Sequence, residues 1–157
     1  MRLLPGEKPG FQTEAPGVRV PWTIVDENAA RPIQLAIVDG ITSVHGGEGW
    51  WNPGIGPIEP GLIVTGFDAV ATDAVSMAVM GFDPRAADGT TPFETGLNHV
   101  ALAERAGLGT ADLSRIEVRG LTIDEARVPF RTPAQGWSPW KTAVRRTDTG
   151  SASRLLA

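Results

Sequence analysis

Two short apolar runs, separated by a long glycine- and proline-rich connection, constrain the fold of this chain more than any other feature. The first run covers residues 32–38 and the second covers residues 61–66. Apolar runs of this length, with β-branched side chains and little polar alternation, are typical of strands that helices cover on both faces. We therefore predict an α/β fold with a mixed or mostly parallel sheet and flanking helices.

Helical spacing of apolar residues follows the second run. Residues 68–80 predict a helix that begins at an aspartate suited to the N-cap, and Gly81 is suited to the left-handed conformation that ends a helix. A second helix is predicted over residues 98–106, with Gly107 at its end. Residues 116–120 alternate apolar and polar side chains, which predicts an edge strand.

The two ends of the chain lack such periodicity. Residues 1–30 contain several prolines and glycines and are predicted to form an irregular N-terminal arm. Residues 31–128 are predicted to form the α/β domain, and residues 129–157 an irregular C-terminal tail. At 157 residues the chain is long enough to bury one hydrophobic core.

Composition excludes several classes of protein. The chain has no cysteine, so it holds no disulfide, no thiolate-ligated zinc and no iron–sulfur cluster bound by its own residues. The net charge of −4, with charges of both signs interspersed, argues against nucleic acid as a partner. No apolar stretch is long enough for a membrane span and the first residues do not resemble a signal peptide, so we predict a cytoplasmic protein.

The connection between the two predicted strands is the predicted ligand-binding surface. More than half of residues 45–61 are Gly or Pro, and a connection of this length in a compact domain is usually either functional or disordered. Two adjacent tryptophans, Trp50 and Trp51, favour an ordered segment. Glycines allow a backbone to approach a ligand closely. We therefore predict that the start of the connection binds a ligand through Gly46, Gly47, Glu48 and Gly49.

Acidic residues near the strand ends predict a cation site. Asp39 follows the first predicted strand and Asp68 the second, and parallel strands would bring both to one edge of the sheet. Glu48, flanked by glycines, has no evident structural task. Clustered carboxylates repel one another unless a cation or a shared proton relieves the repulsion, and a divalent cation is the natural partner. We predict that Asp39, Glu48 and Asp68 hold Mg²⁺ or Mn²⁺, which bridges a small anionic ligand.

Other interpretations of these residues stay open. Asp39 suits a turn, and Asp68 suits a helix cap with no further role. His45 and Asp73 are the candidates for a general base, although His45 also suits a solvated loop. Asp73 points away from the apolar stripe of its helix, so it is at the surface, packed against another segment, or lining a pocket beneath the connection. His99 is predicted to be a surface or packing residue, and whether the chain is an enzyme stays open.

Several segments resemble the family called domain of unknown function 362. They occur in order over about residues 30–120, as residues 35–41, 46–49, 66–75, 80–84, 106–109 and 116–120. The resemblance implies that four acidic residues occupy acidic positions of the family, namely Asp39, Glu48, Asp68 and Asp73. Some members carry ferredoxin-like cysteine motifs, which this chain lacks. The family's usual Glu-Gly-x-Pro turn is interrupted here by Trp50 and Trp51.

The resemblance also implies that the N-terminal half of the family's fold is absent from this chain. We therefore predict an incomplete half of a larger α/β domain, completed by a homo-oligomer or by another chain. An alternative function follows from this prediction. The chain would be a non-catalytic assembly module that binds a second subunit through its sheet edge and the surface of Trp50 and Trp51.

Overall fold

A computed structural model describes residues 16–47, 54–94 and 96–132 of the chain, which form two compact units. The described residues of the large unit are 16–42, 59–94 and 96–129, and those of the small unit are 43–47, 54–58 and 130–132. The regular elements, in chain order, are α1 (Pro16–Ala30), β1 (Ala36–Gly40), β2 (Ser43–His45), β3 (Gly56–Ile58), β4 (Leu62–Gly66), α2 (Ala69–Val79), α3 (His99–Arg105) and a 3₁₀ helix (Leu113–Arg115).

The sheet of the large unit consists of β1 and β4, which pair antiparallel from Ala36 with Gly66 to Gly40 with Leu62. The prediction of a mixed or mostly parallel sheet is therefore wrong, while the mixture of helices and strands is confirmed. A parallel pair needs a crossover, usually a helix. The described part of the connection contains instead β2 and β3, which themselves pair antiparallel and reverse the chain.

The core of the large unit lies between its three α-helices. Val25 of α1, Ala74 of α2 and Val100 of α3 are buried together, and half-buried apolar side chains pack around them. The predicted helices over residues 68–80 and 98–106 are confirmed, with Asp68 and Asn98 as their N-caps. No helix in the described part of the chain combines the length and apolar character that crossing a membrane requires.

Helix α1 is the main departure from the sequence prediction. Residues 1–30 were expected to be an irregular arm, and for Pro16–Ala30 that prediction is wrong. Pro21 lacks the amide proton that an interior helical residue donates, so the local sequence predicts a loop for this segment. Pro21 and Val25 are both buried, and α1 packs against α3, so tertiary packing outweighs the weak local preference.

The predicted edge strand over residues 116–120 is wrong as well. These residues form no strand and continue from the 3₁₀ helix. Ile116 packs against the core, while Val118 is exposed. Alternation of apolar and polar residues selects which side chains face the core, but a strand also needs a neighbouring edge with which to exchange hydrogen bonds.

The small unit joins sequence-distant segments. Ser43 pairs with Ile58, and His45 pairs with Gly56. The backbone amide of Gly46 donates to the carbonyl oxygen of Arg131 at 2.8 Å. A two-stranded ladder of this size is marginal by itself, so the contacts from residues 130 and 131 are part of what holds it.

Candidate functional site

Asp39 and Asp68 lie at opposite ends of the β1–β4 sheet. Asp39 pairs with Ile63, whereas Gly66, two residues before Asp68, pairs with Ala36. Between these two pairs β1 advances about 10 Å, at roughly 3.3 Å per residue. The parallel arrangement on which a shared cation site was predicted is wrong, and the antiparallel sheet separates the two carboxylates.

The Asp68 carboxylate binds backbone amides with both of its oxygens. Oδ1 accepts from the amide of Ala71 at 2.9 Å, in the first turn of α2, and Oδ2 accepts from the amide of Thr110 at 3.2 Å. A Cβ atom at Gly109 would collide with the same carboxylate, so only glycine permits this approach. Asp68 is therefore the N-cap of α2, as the sequence predicts, and its bond to Thr110 is a second role that the cap interpretation did not include. Asp39, in turn, accepts from the amide of Ile41 at 3.0 Å, as in a turn.

His45 contacts a basic residue. The Arg131 guanidinium donates to Nε2 of His45, with Nε at 3.1 Å and Nη2 at 2.8 Å, and the ring of Phe130 packs edge-on with centroids 6.1 Å apart. A guanidinium beside the imidazole opposes the approach of a metal cation. The role of His45 as a general base stays a prediction.

The glycines at the start of the connection have a structural use. Gly46 has a φ of 83° and Gly47 a φ of 141°. A Cβ atom at Gly46 would collide with the carbonyl oxygen of Gly54, so the two ends of the connection approach each other there. Ligand binding by these two glycines stays a prediction. Four other predicted residues lie outside the described part of the chain, namely Glu48, Gly49, Trp50 and Trp51.

No group of three or more His, Cys, Asp and Glu side chains suited to a metal ion occurs within residues 16–47, 54–94 and 96–132. Because Glu48 falls outside these ranges, a cation site that includes it stays a prediction.

A cleft of about 330 Å³ opens in the large unit between α1, α2 and α3. Most of its walls are apolar side chains, among them Ile24, Val25, Ile33, Val70, Val100 and Leu108. Four polar side chains also line it, namely Asn28, Asp68, Asp73 and His99. Asp73 is exposed and also lines the cleft, whereas the pocket that the sequence left open for it was expected beneath the glycine-rich connection.

Asp73 and His99 influence each other's protonation across this cleft. The surrounding protein atoms raise the pKa of the Asp73 carboxyl, although the residue as a whole is solvent-exposed, and the nearby His99 partly opposes that rise. Burial lowers the pKa of the His99 imidazole, and the Asp73 carboxylate partly opposes that fall. The ring of His99 also packs edge-on against Phe93, with centroids 5.8 Å apart. Burial therefore favours the uncharged form of each group, and the attraction between the carboxylate and the imidazolium partly opposes this.

Sequence reasoning missed two residues of this cleft. His99 was expected to be a surface or packing residue, and Asn28 falls in the segment that was expected to be irregular. The available signal was the position of Asp73 off the apolar stripe of α2, because it left a pocket as one of the alternatives. Nothing in the local sequence of α1 indicated that it forms the opposite wall.

A second feature of the large unit is the exposed side of its sheet, which we call the outer sheet face and define as Ile37, Asp39, Ile63 and Thr65. Residues directly opposite each other in an antiparallel pair share a face, and here Ile37 lies opposite Thr65 and Asp39 opposite Ile63. Ile37 is 65% exposed and Ile63 is 60% exposed. The alternate residues of both strands are partly buried.

We expect Asp68→Ala to lower the free energy of unfolding by about 2 kcal/mol, because it removes a helix cap and leaves the Thr110 amide without its acceptor. Asp39→Ala is the matched control and should cost less than about 0.5 kcal/mol, since only one exposed turn bond is lost. Urea unfolding followed by circular dichroism measures both values. Equal losses for the two variants would contradict the structural role of Asp68.

We expect His99 to titrate below the value of about 6.5 that is usual for an exposed histidine, because burial disfavours the imidazolium. Asp73→Asn should lower the pKa of His99 further, since it removes the carboxylate that favours the charged ring. The chain has only two histidines, so NMR titration of the ring signals, with His45→Gln for assignment, resolves the question.

The same shift has a consequence for stability. The unfolded chain binds a proton at residue 99 more readily than the folded chain does. The contribution of His99 to the free energy of unfolding is therefore complete above about pH 6.5, and it is lost as the pH falls through the lowered pKa of the folded state. A His99 pKa that is unchanged by Asp73→Asn would show that the two groups do not interact.

Residues 3–78 match the model of a family described as Domain of unknown function (DUF362). No curated protein and no solved structure matches the chain. The family match shares residues 30–78 with the resemblance predicted from the sequence, adds residues 3–29, and ends before the segments that follow α2. The resemblance of this chain to the domain of unknown function 362 family is therefore confirmed over a stretch that includes α1, the β1–β4 sheet and most of α2.

Proposed function

We propose that this domain is an assembly module that binds a second copy of the same chain through its outer sheet face. The observation that carries the proposal is the exposure of Ile37 and Ile63, which are diagonal neighbours on the same face of a regular sheet. Single exposed apolar residues are common on soluble proteins, but a contiguous apolar surface usually marks an interaction site.

The apolar surface extends beyond the two strands. Leu35 and Ile41, which flank β1, are about half exposed. Burying apolar side chains of this size contributes about 1.5–3 kcal/mol each when the burial is complete. Several such side chains around one face therefore offer a substantial gain on association.

The sheet itself also favours a partner. β1 and β4 pair only with each other among the described strands, so each has an open edge there. Two-stranded sheets are marginal without further strands or a covering layer. Unpaired edges and an uncovered face are the features that β-proteins normally protect.

A second copy is the partner that this surface fits best. A two-fold interface brings the same patch together from both subunits, so the isoleucines of this face, with Leu35 and Ile41 beside them, can pack against the same side chains of the second copy. The one charged residue of the face, Asp39, lies near the end of β1, opposite Ile63. Two copies can therefore bury their isoleucines while the carboxylates remain near the margin, in contact with water.

We expect the wild-type protein to be a dimer in sedimentation equilibrium, and the Ile37→Lys/Ile63→Lys double variant to be a monomer, because each lysine places a charge in the apolar interface. Leu121→Lys is the matched control and should leave the dimer intact, since Leu121 is 54% exposed but lies outside the strands. Circular dichroism verifies that all variants are folded. A wild-type monomer over the accessible concentration range, or a double variant that still dimerises, would overturn the proposal.

Binding of a divalent cation is a second, separate proposal. We propose that Glu48 supplies a carboxylate to Mg²⁺ or Mn²⁺ bound at the glycine-rich start of the connection, where the ion bridges a small anionic ligand. What supports it is the sequence, in which Glu48 stands between glycines that allow close approach. Asp39 and Asp68 are no longer natural co-ligands, because they lie at opposite ends of the sheet.

We expect calorimetric titration with Mn²⁺ to give a binding signal for the wild type that Glu48→Ala abolishes. Glu59→Ala is the control, because it removes an exposed carboxylate from the far end of the same connection. If the wild type binds no Mg²⁺ or Mn²⁺, this second proposal is removed.

A further inference from the structure

The cleft between α1, α2 and α3 has the dimensions of a small-molecule site. Its volume of about 330 Å³ is at the lower end of the roughly 300–1,000 Å³ that is usual for ligand pockets. The walls are largely aliphatic, which is the usual lining of such pockets. A ligand that fits here is therefore small and has an apolar body.

Two of the four polar side chains in the cleft are already engaged by the protein. Both oxygens of Asp68 accept from backbone amides, as described above. The side-chain nitrogen of Asn28 donates to the carbonyl oxygen of Ile24 at 2.8 Å, within α1. The Asp68 carboxylate and the Asn28 side-chain nitrogen therefore serve the fold.

Asp73 and His99 are different. In the described part of the chain, neither side chain forms a hydrogen bond or an ion pair, with the other or with any other group. Both line the cleft, Asp73 from α2 and His99 from the start of α3. They are therefore the polar groups of the cleft that are available to a ligand.

Charge decides what that polar group is. The described lining contains two carboxylates, Asp68 and Asp73, and no lysine or arginine. An anionic ligand would be repelled, whereas a protonated amine would be attracted to Asp73. An ammonium group has only donors, and it finds acceptors in the Asp73 carboxylate and in the unprotonated nitrogen of a neutral His99 ring.

We propose that this cleft binds a small amine, with its apolar body against the aliphatic walls and its ammonium group between Asp73 and His99. The site is separate from the outer sheet face and from the glycine-rich connection, so it does not depend on either proposed function. The charge of the proposed amine is also opposite to that of the ligand predicted from the sequence, which was an anion held through a metal ion.

Three probes with the same body test the charge preference. Phenethylamine, 2-phenylethanol and 3-phenylpropanoate share a phenyl group on a short chain and differ in ending as a cation, a neutral alcohol or an anion. We expect the amine to bind about tenfold more tightly than the alcohol, because it gains one charge-assisted hydrogen bond. We expect the carboxylate not to bind. Isothermal titration calorimetry gives the affinities, and the ring signals of His99 report whether the probe occupies the cleft.

Matched variants separate the specific site from general attraction to an acidic protein. Asp73→Asn should weaken amine binding about tenfold and leave the affinity for the alcohol within about twofold. Glu117→Gln removes an exposed carboxylate away from the cleft and should leave both affinities unchanged. Ala69→Phe, which places a ring in the cleft from the first residue of α2, should abolish binding of all probes.

Several outcomes would overturn the proposal. They are equal affinity for the amine and the alcohol, equal effects of Asp73→Asn and Glu117→Gln, or amine binding that leaves the His99 ring signals unmoved. A wild-type protein that binds no probe up to the solubility limit of the probes would overturn it too. None of these results depends on whether the chain dimerises or binds Mn²⁺.

Discussion

The double hydrogen bond of the Asp68 carboxylate is the interaction on which the large unit depends most. One oxygen fixes the first turn of α2, and the other holds the segment that follows α3, 42 residues later in the chain. The close approach requires glycine at position 109. Both α2 and α3 are walls of the cleft, so the Asp68 carboxylate sets part of the distance between those walls. Its two hydrogen bonds in the described part of the chain are both with backbone amides.

The parts of the fold that the sequence predicts well are those that local forces decide. The two helices carry apolar stripes, polar N-caps and terminal glycines, and each of these signals lies within the element that it defines. The direction of β4 relative to β1 is not local in this sense, because the apolar content of a strand is the same whether it runs parallel or antiparallel. Helix α1 was missed for a related reason, since burial of Val25 against α3 compensates for a proline that locally disfavours helix.

In the candidate site, too, the features that local sequence decides could be predicted, and those that tertiary packing decides could not. The sequence singled out acidic residues, but their predicted grouping rested on strand direction, and with antiparallel strands Asp39 and Asp68 lie at opposite ends of the sheet. Asp73 could be placed only as far as several alternatives, because its partner in the cleft, His99, lies on another helix with 25 residues between them. The opposite wall comes from α1, whose contribution depends on tertiary packing. A cleft made by three helices is a property of their packing, and no single segment encodes it.

The small unit is built from segments that are distant in the sequence, and this sets the order in which parts of the chain can fold during synthesis. His45 and the Arg131 that holds its ring are separated by 86 residues, so this contact carries a larger loop-closure entropy than the local pairing of β2 with β3. Every residue of the large unit leaves the ribosome before Arg131 does. Vectorial synthesis therefore gives the helices the opportunity to fold while the hairpin of β2 and β3 still waits for the residues that complete it.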